Sequence, residues 1–221
     1  MVEYFSRESG RVAIIAKGAK SRKSRGGSGA ALLQPFTPLQ CSWLGRSELK
    51  TLVDCETAGS AQPLAGRALY CGLYLNELLV RLLHHEDPHQ VLFDHYAASI
   101  ARLAVDEDME LVLRQFELCL LDELGYGFDL SVDGASGQPV SEEQQYHYHE
   151  EYGMVPAVGA DSSTSNHERL PRYLGAQLLD IARGRFDDSA RQCAKRLMRQ
   201  VLALHLGDKP LKSRDLFRRP D

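Results

Sequence analysis

Val2-Glu3-Tyr4-Phe5-Ser6-Arg7-Glu8-Ser9-Gly10-Arg11-Val12-Ala13-Ile14-Ile15-Ala16 carries the clearest local signal of fold class in the chain. Val2, Tyr4 and Phe5 suit a strand, Ser9-Gly10 supplies a turn, and Arg11 to Ala16 is a β-branched run ending at Lys17-Gly18, so the segment reads as a hairpin. Outward from it, Ser21 to Gly29 is a Gly/Ser/Lys/Arg loop without periodicity. Extended character returns in Leu32 to Leu39 and Gln40 to Leu44, with Pro35 and Pro38 at a strand edge or bend. Leu49 to Glu56 reads as the last strand. Short strands joined by turns predict a small barrel over residues 1–57.

Ala58 to Gln62 is a small-residue linker, and beyond it the period changes. Leu69, Leu73, Leu75, Leu78, Leu79 and Leu82 recur at helical spacing between Leu64 and Leu83. His84-His85-Glu86-Asp87-Pro88 stops that helix, with Asp87 expected to cap the next and Pro88 in its first turn. The second helix runs through Leu92, Phe93, Tyr96, Ile100 and Leu103. A third, Leu111 to Leu124, ends at Gly125. Three amphipathic helices with short joints predict a bundle. Residues 126–166 are polar and aperiodic, an insertion too long for an ordinary connector, to be either a small subdomain or mobile. Helical pattern resumes from Leu170 to Ile181 and from Ser189 to Leu206. The expected class is therefore α+β: a barrel over 1–57, then a helical domain over 58–221 with an irregular insertion at about 126–166.

The 221 residues are 43% hydrophobic and 25% charged, ordinary for a soluble globular protein, and the formal net charge is −4. A nucleic-acid role cannot rest on bulk charge and has to rest on local clustering. Met1 is followed by Val2 and acidic Glu3, unlike a secretory leader. The apolar runs are broken well short of the roughly 18 residues a membrane span needs, so a cytoplasmic protein is expected. Five scattered cysteines (Cys41, Cys55, Cys71, Cys119, Cys193) form no CxxC pair and suggest neither a zinc knuckle nor a disulfide framework. Cys71 and Cys119 read as small core residues.

Three stretches could carry chemistry. Lys17, Lys20, Arg22, Lys23 and Arg25 place five cations within nine residues, with Gly18, Gly26, Gly27, Ser21 and Ser24 among or beside them and no acid between. Glycine and serine let the backbone approach phosphates and donate N–H bonds. A solvated loop is the plain reading of any charge run, but a position between strands of a small barrel favours binding. Tyr4, Phe5, Phe36 and Trp43 lie in the same region and could stack bases, although Phe36 and Trp43 fit the barrel core better. A second basic group comprises Arg191, Lys195, Arg196 and Arg199, then Lys209, Lys212, Arg214, Arg218 and Arg219; Lys195 and Arg199 share a helix face. Third, His147 and His149 in Tyr146-His147-Tyr148-His149-Glu150-Glu151 would point the same way in a strand, which invites a metal, but two further ligands are lacking. No phosphate-binding loop, nucleophile elbow, zinc-protease or dinucleotide motif occurs, so no catalytic residues are assigned and an enzyme is not expected.

At these residues the chain resembles a family. Phe5-Ser6-Arg7-Glu8-Ser9-Gly10-Arg11, Ala16-Lys17-Gly18-Ala19-Lys20, Leu33-Gln34-Pro35-Phe36 and Glu48-Leu49-Lys50-Thr51-Leu52 look like the N-terminal domain of RecO DNA-repair proteins. Tyr74-Leu75-Asn76-Glu77-Leu78-Leu79, Leu113-Arg114-Gln115-Phe116-Glu117-Leu118 and Leu124-Gly125-Tyr126-Gly127 are similar to that family's helical domain, and Leu211-Lys212-Ser213-Arg214-Asp215-Leu216 closes the match. The resemblance implies an OB-fold followed by a helical domain. It implies a mediator without cofactor that binds single- and double-stranded DNA, anneals complementary strands and works at the nucleoid. Its implied partners are RecR, the C-terminal tail of the single-strand-binding protein and, indirectly, the RecA recombinase. The DNA-contacting residues it implies are Arg11, Lys17, Lys20, Arg22, Lys23 and Arg25 in the barrel region, with Lys212 and Arg214 in the tail.

Two departures from the family pattern carry expectations. Relatives have about one more strand before the segment matching Val2, so the barrel is expected to lack its first strand and to expose an edge. Many relatives also place paired zinc-binding cysteines after the Leu-Gly-Tyr element, where this chain has Leu130-Ser131-Val132-Asp133-Gly134-Ala135. No metal is expected here, and residues 126–166 are expected to be loosely held. The competing reading is a protein–protein adaptor whose basic surfaces hold acidic partner tails; a metal enzyme using His147 and His149 is the third.

Overall fold

The computed structural model describes residues 1–16, 23–24, 27–28, 33–105, 107–157 and 170–217. The chain divides into two compact units, one of residues 1–116 with 210–221 and the other of residues 117–209.

In the first unit the opening hairpin forms as its sequence predicts: β1 (Val2–Ser6) pairs antiparallel with β2 (Gly10–Ile15), Val2 opposite Ile14 and Ser6 opposite Gly10. Gly10 has φ +63, and a Cβ there would lie 2.0 Å from the Asp87 carbonyl oxygen, so only glycine allows this turn to approach residue 87. In the connection after β2, β3 (Lys23–Ser24) pairs antiparallel with β4 (Gly27–Ser28). Then β5 (Leu39–Leu44) pairs antiparallel with β6 (Leu49–Thr57), and β6 returns to lie parallel to β2, Ala13 opposite Leu49. The sheet order is β1-β2-β6-β5. Central β2 is buried on both faces through Val12, Ala13 and Ile14, whereas β5 alternates, with Leu39, Cys41 and Trp43 inward and Gln40, Ser42 and Leu44 outward. The sheet curls: Tyr4 of edge strand β1 meets the thiols of Cys41 on the opposite edge strand and of Cys55 on β6. Burial first, and then those thiols, push the Tyr4 hydroxyl pKa upward. This is the expected OB-type sheet, with β1 and β5 as edge strands among the described residues.

Helix α1 (Gly66–Leu82) buries Ala68, Cys71, Tyr74, Leu75, Leu78 and Leu79 along one stripe. Phe36 packs over it at Gly72, where a Cβ would come within 2.8 Å of the ring. Helix α2 (Gln90–Ala104) starts beyond the expected cap: His89 takes the N-cap position, and Asp87 pairs instead with the His89 ring at 3.5 Å. Phe5 bridges sheet and helix, its ring 5.4 Å from Phe93 and 5.9 Å from Tyr96. Helix α3 (Met109–Glu123) opens on Asp108, whose carboxylate accepts the Leu111 N–H at 3.1 Å. It ends as predicted at Gly125 (φ +78), where the Gly125 N–H bonds the Asp122 carbonyl and the Tyr126 N–H bonds that of Leu121. The boundary between the units falls inside α3, after Phe116.

In the second unit the segment expected to be loosely held is instead partly built into a sheet. Antiparallel β7 (Gln145–His149) and β8 (Gly153–Pro156) are joined by β9 (Tyr173–Leu174) in the order β8-β7-β9. Tyr146, Met154 and Tyr173 are at most 1% exposed. The period-two pattern was hidden because its buried positions are phenols between polar residues; the Tyr146 hydroxyl accepts the Ser141 N–H, and that of Tyr173 bonds Gln200. Residues 158–166 of the expected insertion lie outside the described residues. Helix α4 (Gly175–Ala182) follows β9. Helix α5 (Asp188–Leu206) is capped by Asp187, which accepts the Ala190 N–H at 2.7 Å, and it ends at Gly207. No helix among the described residues is long and apolar enough to cross a membrane. A short helix α6 (Ser213–Leu216) belongs to the first unit.

Candidate nucleic-acid interface

The cation-rich segment occupies the connection between β2 and β5. Lys23 sits in β3, paired across the small ribbon with Ser28. Lys17, Lys20, Arg22 and Arg25 lie outside the described residues.

Arg11, expected in the same phosphate-contacting set, faces inward. One guanidinium nitrogen donates to the Leu83 carbonyl at 2.9 Å and to the Val80 carbonyl; another meets His85 Nε2 at 2.5 Å. Its Nε lies 3.3 Å from Glu3 Oε2, and the side chain is 17% exposed. The cause is local. Carbonyls in the last turn of α1 lack intrahelical partners and carry the negative end of the helix dipole, so a cation at the start of β2 is drawn there. Lys50, buried on β6, makes the parallel commitment to Glu86. The Glu86 N–H also donates to the Arg11 carbonyl at 2.9 Å. These two cations fasten the α1–α2 connection to the sheet.

The tail residues are presented outward. Leu211 and Ser213 are buried, while Lys212 and Arg214 are exposed. A single carboxylate holds this register: Glu77 on α1 accepts the Lys212 N–H at 2.9 Å, the Ser213 N–H at 2.8 Å and the Ser213 hydroxyl at 2.6 Å. Phe217 adds an edge-to-face contact with Tyr70 at 5.7 Å. Burial raises the Glu77 pKa, but the bonds from Ser213 and Lys212 outweigh it and hold the carboxyl below its usual range. Glu77 sits inside the Tyr74-to-Leu79 element and its partners inside Leu211-Lys212-Ser213-Arg214, two segments of the family pattern that sequence alone did not join.

Glu77→Ala is expected to detach the tail, with loss of about 1–2 kcal/mol of local stability, as for other lost caps. Amide hydrogen exchange at Lys212 and Ser213 would then quicken about tenfold or more; unchanged protection there would remove Glu77 from this role. Because the folded pKa is depressed, the stabilisation is fully present above the unfolded value of about 4.3 and fades as pH falls through the lower folded value. Protection of the tail should therefore be flat from pH 8 to 6 and decline only below about 4.

In the second unit, α5 exposes Lys195, Arg196 and Arg199, with Arg196 over the Tyr173 ring at 4.6 Å, while Arg191 bonds the Phe186 carbonyl. His147 and His149 lie in one strand as expected, and the His149 ring accepts the Glu151 N–H at 3.2 Å. Among the described residues no group of three or more His, Cys, Asp or Glu is placed to hold a metal ion. Behind β1, a cavity of 560 Å³ is lined by Val2, Phe5, Phe36, Leu79, Phe93 and Ile100, among others.

Two family models cover the chain: that of the recombination protein O N terminal over residues 1–61 and that of the recombination protein O C terminal over residues 64–215. The chain is 45% identical over 217 residues to the DNA repair protein RecO of Haemophilus influenzae (strain 86-028NP), spanning 98% of this chain and 88% of that one. It is 46% identical over 219 residues to the DNA repair protein RecO of Methylococcus capsulatus, 99% of this chain and 86% of the relative. To the Yersinia enterocolitica protein of that name it is 43% identical over 220 residues, 99% and 87% of the two chains.

Proposed function

The chain belongs to the recombination protein O family of DNA repair proteins, and from that premise we propose that it is a non-catalytic recombination mediator. It binds single- and double-stranded DNA, anneals complementary strands and, with RecR, helps load RecA onto DNA coated by single-strand-binding protein. The observation that carries the reading is the position of the five-cation segment in the β2–β5 connection of an OB-type sheet. Loops between strands of such a sheet border the face on which nucleic acid lies. Exposed Lys212 and Arg214 supply a second positive group on the same unit. Lys17, Lys20, Arg22, Lys23, Arg25, Lys212 and Arg214 are the proposed phosphate contacts, at the nucleoid in the cytoplasm.

The test is fluorescence anisotropy of a labelled oligonucleotide titrated with the full chain at several salt concentrations. Affinity is expected to fall linearly in log–log coordinates with a slope of several units, about 0.7 per phosphate neutralised on a single strand. A chain that leaves the oligonucleotide unbound at low salt overturns the proposal. The adaptor reading draws on the exposed cations of α5, which suit acidic peptides equally; saturation by an acidic peptide under conditions where DNA is ignored would favour it.

A further inference from the structure

We propose that Cys41 and Cys55 are a thiol–disulfide modification site, joined reversibly across β5 and β6. The two residues stand directly opposite one another in the antiparallel register. Opposed residues in such a pair have Cα atoms about 4.5–5.5 Å apart, inside the range a disulfide spans. Their sulfurs are 2.7 Å apart, both on the inward side of the curled sheet beside Tyr4. Both side chains are half-buried, so a small oxidant can reach them, whereas Cys71 and Cys193 are buried on helices α1 and α5.

The oxidant is a low-molecular-weight disulfide. One protein thiolate attacks a sulfur of that disulfide, forming a mixed disulfide and expelling one small thiolate. The second protein thiol loses its proton to solvent, attacks the protein-side sulfur and expels the other small thiolate. Two electrons pass from the protein sulfurs to the oxidant, two small thiols leave, and the chain loses two hydrogens. Only thiolate reacts, and Cys41 is held back: burial, then its hydrogen bond to Cys55, push its pKa up to about 12. Attack by Cys41 is therefore slow at neutral pH and quickens as pH rises. Once formed, the bond closes the β5–β6 hairpin covalently and removes conformations from the unfolded chain.

The full chain would be equilibrated in glutathione buffers of increasing oxidised fraction, then quenched by alkylation, digested and weighed. A peptide pair linked through Cys41 and Cys55 is expected in monomeric protein, with an intact mass lower by two hydrogens and full reversal by dithiothreitol. Its rate should rise with pH between 7 and 9, and the oxidised form should melt higher by about 3 °C or more. Cys41→Ser and Cys55→Ser should each abolish the link, and Cys119→Ser should leave it; melting in reducing buffer verifies that each variant folds. Alkylation of both cysteines at every buffer ratio, a mixed disulfide that never resolves, or linkage of Cys41 to a different cysteine would overturn the proposal.

Discussion

Replacing Lys17, Lys20, Arg22, Lys23 and Arg25 together with alanine is expected to weaken single-strand binding on the order of a hundred- to a thousandfold at about 0.1 M salt. The magnitude follows from counterion release: each phosphate neutralised contributes about 0.7 to the salt slope, so five cations contribute up to about 3.5. The loss should be uniform across base sequences, because backbone contacts position a strand without reading it. The same variant should show a correspondingly flatter salt dependence, while thermal unfolding controls for folding. Unchanged affinity with an unchanged slope would move the binding site away from this segment, toward Lys212 and Arg214 or the exposed face of α5.

Arg11→Ala should act on stability, lowering the free energy of unfolding of the first unit by about 2–4 kcal/mol in urea titration. Removing the guanidinium leaves the Val80 and Leu83 carbonyls without their donor and Glu3 without its cation. The Leu83 carbonyl and the Glu3 carboxylate are part-buried, and stranding them costs about that much, whereas the exposed Val80 carbonyl can turn to water. Arg11→Lys should recover only part, since one ammonium cannot serve two carbonyls, a carboxylate and an imidazole in the fork geometry. The salt slope of DNA binding by the folded fraction should stay as it is. A stable Arg11→Ala protein with a flattened slope would return Arg11 to the phosphate-contacting set. Together the two variants separate a guanidinium tied into the fold from the nearby cations proposed to meet phosphate.

The five-cation variant and the Arg11 variant test what was legible at different levels. The hairpin of β1 and β2, the stripe of α1 and the glycine stop of α3 follow from patterns a few residues long, and the α+β class follows from where the period changes. The start of α2 is not legible in the same way: Asp87 lies against the His89 ring, and His89 takes the N-cap position. The β7–β8 hairpin is not legible in the sequence because Tyr146 and Tyr148 bury phenols, and the Tyr146 hydroxyl is satisfied by the Ser141 N–H and the Gln144 side chain in the fold.

The features written locally into the chain are the hairpin and the helices, set by backbone preference and hydrophobic period, together with the cation-rich segment and the family pattern, which are read directly from residue order. Pairing at a distance emerges only in the folded chain. Arg11 meets a carbonyl 72 residues away, Glu77 holds a tail 135 residues on, and Cys41 faces Cys55 across 14 residues. Such contacts depend on strand register and on which helix end overlies which strand, and both are set by packing the whole core rather than by any short stretch of it.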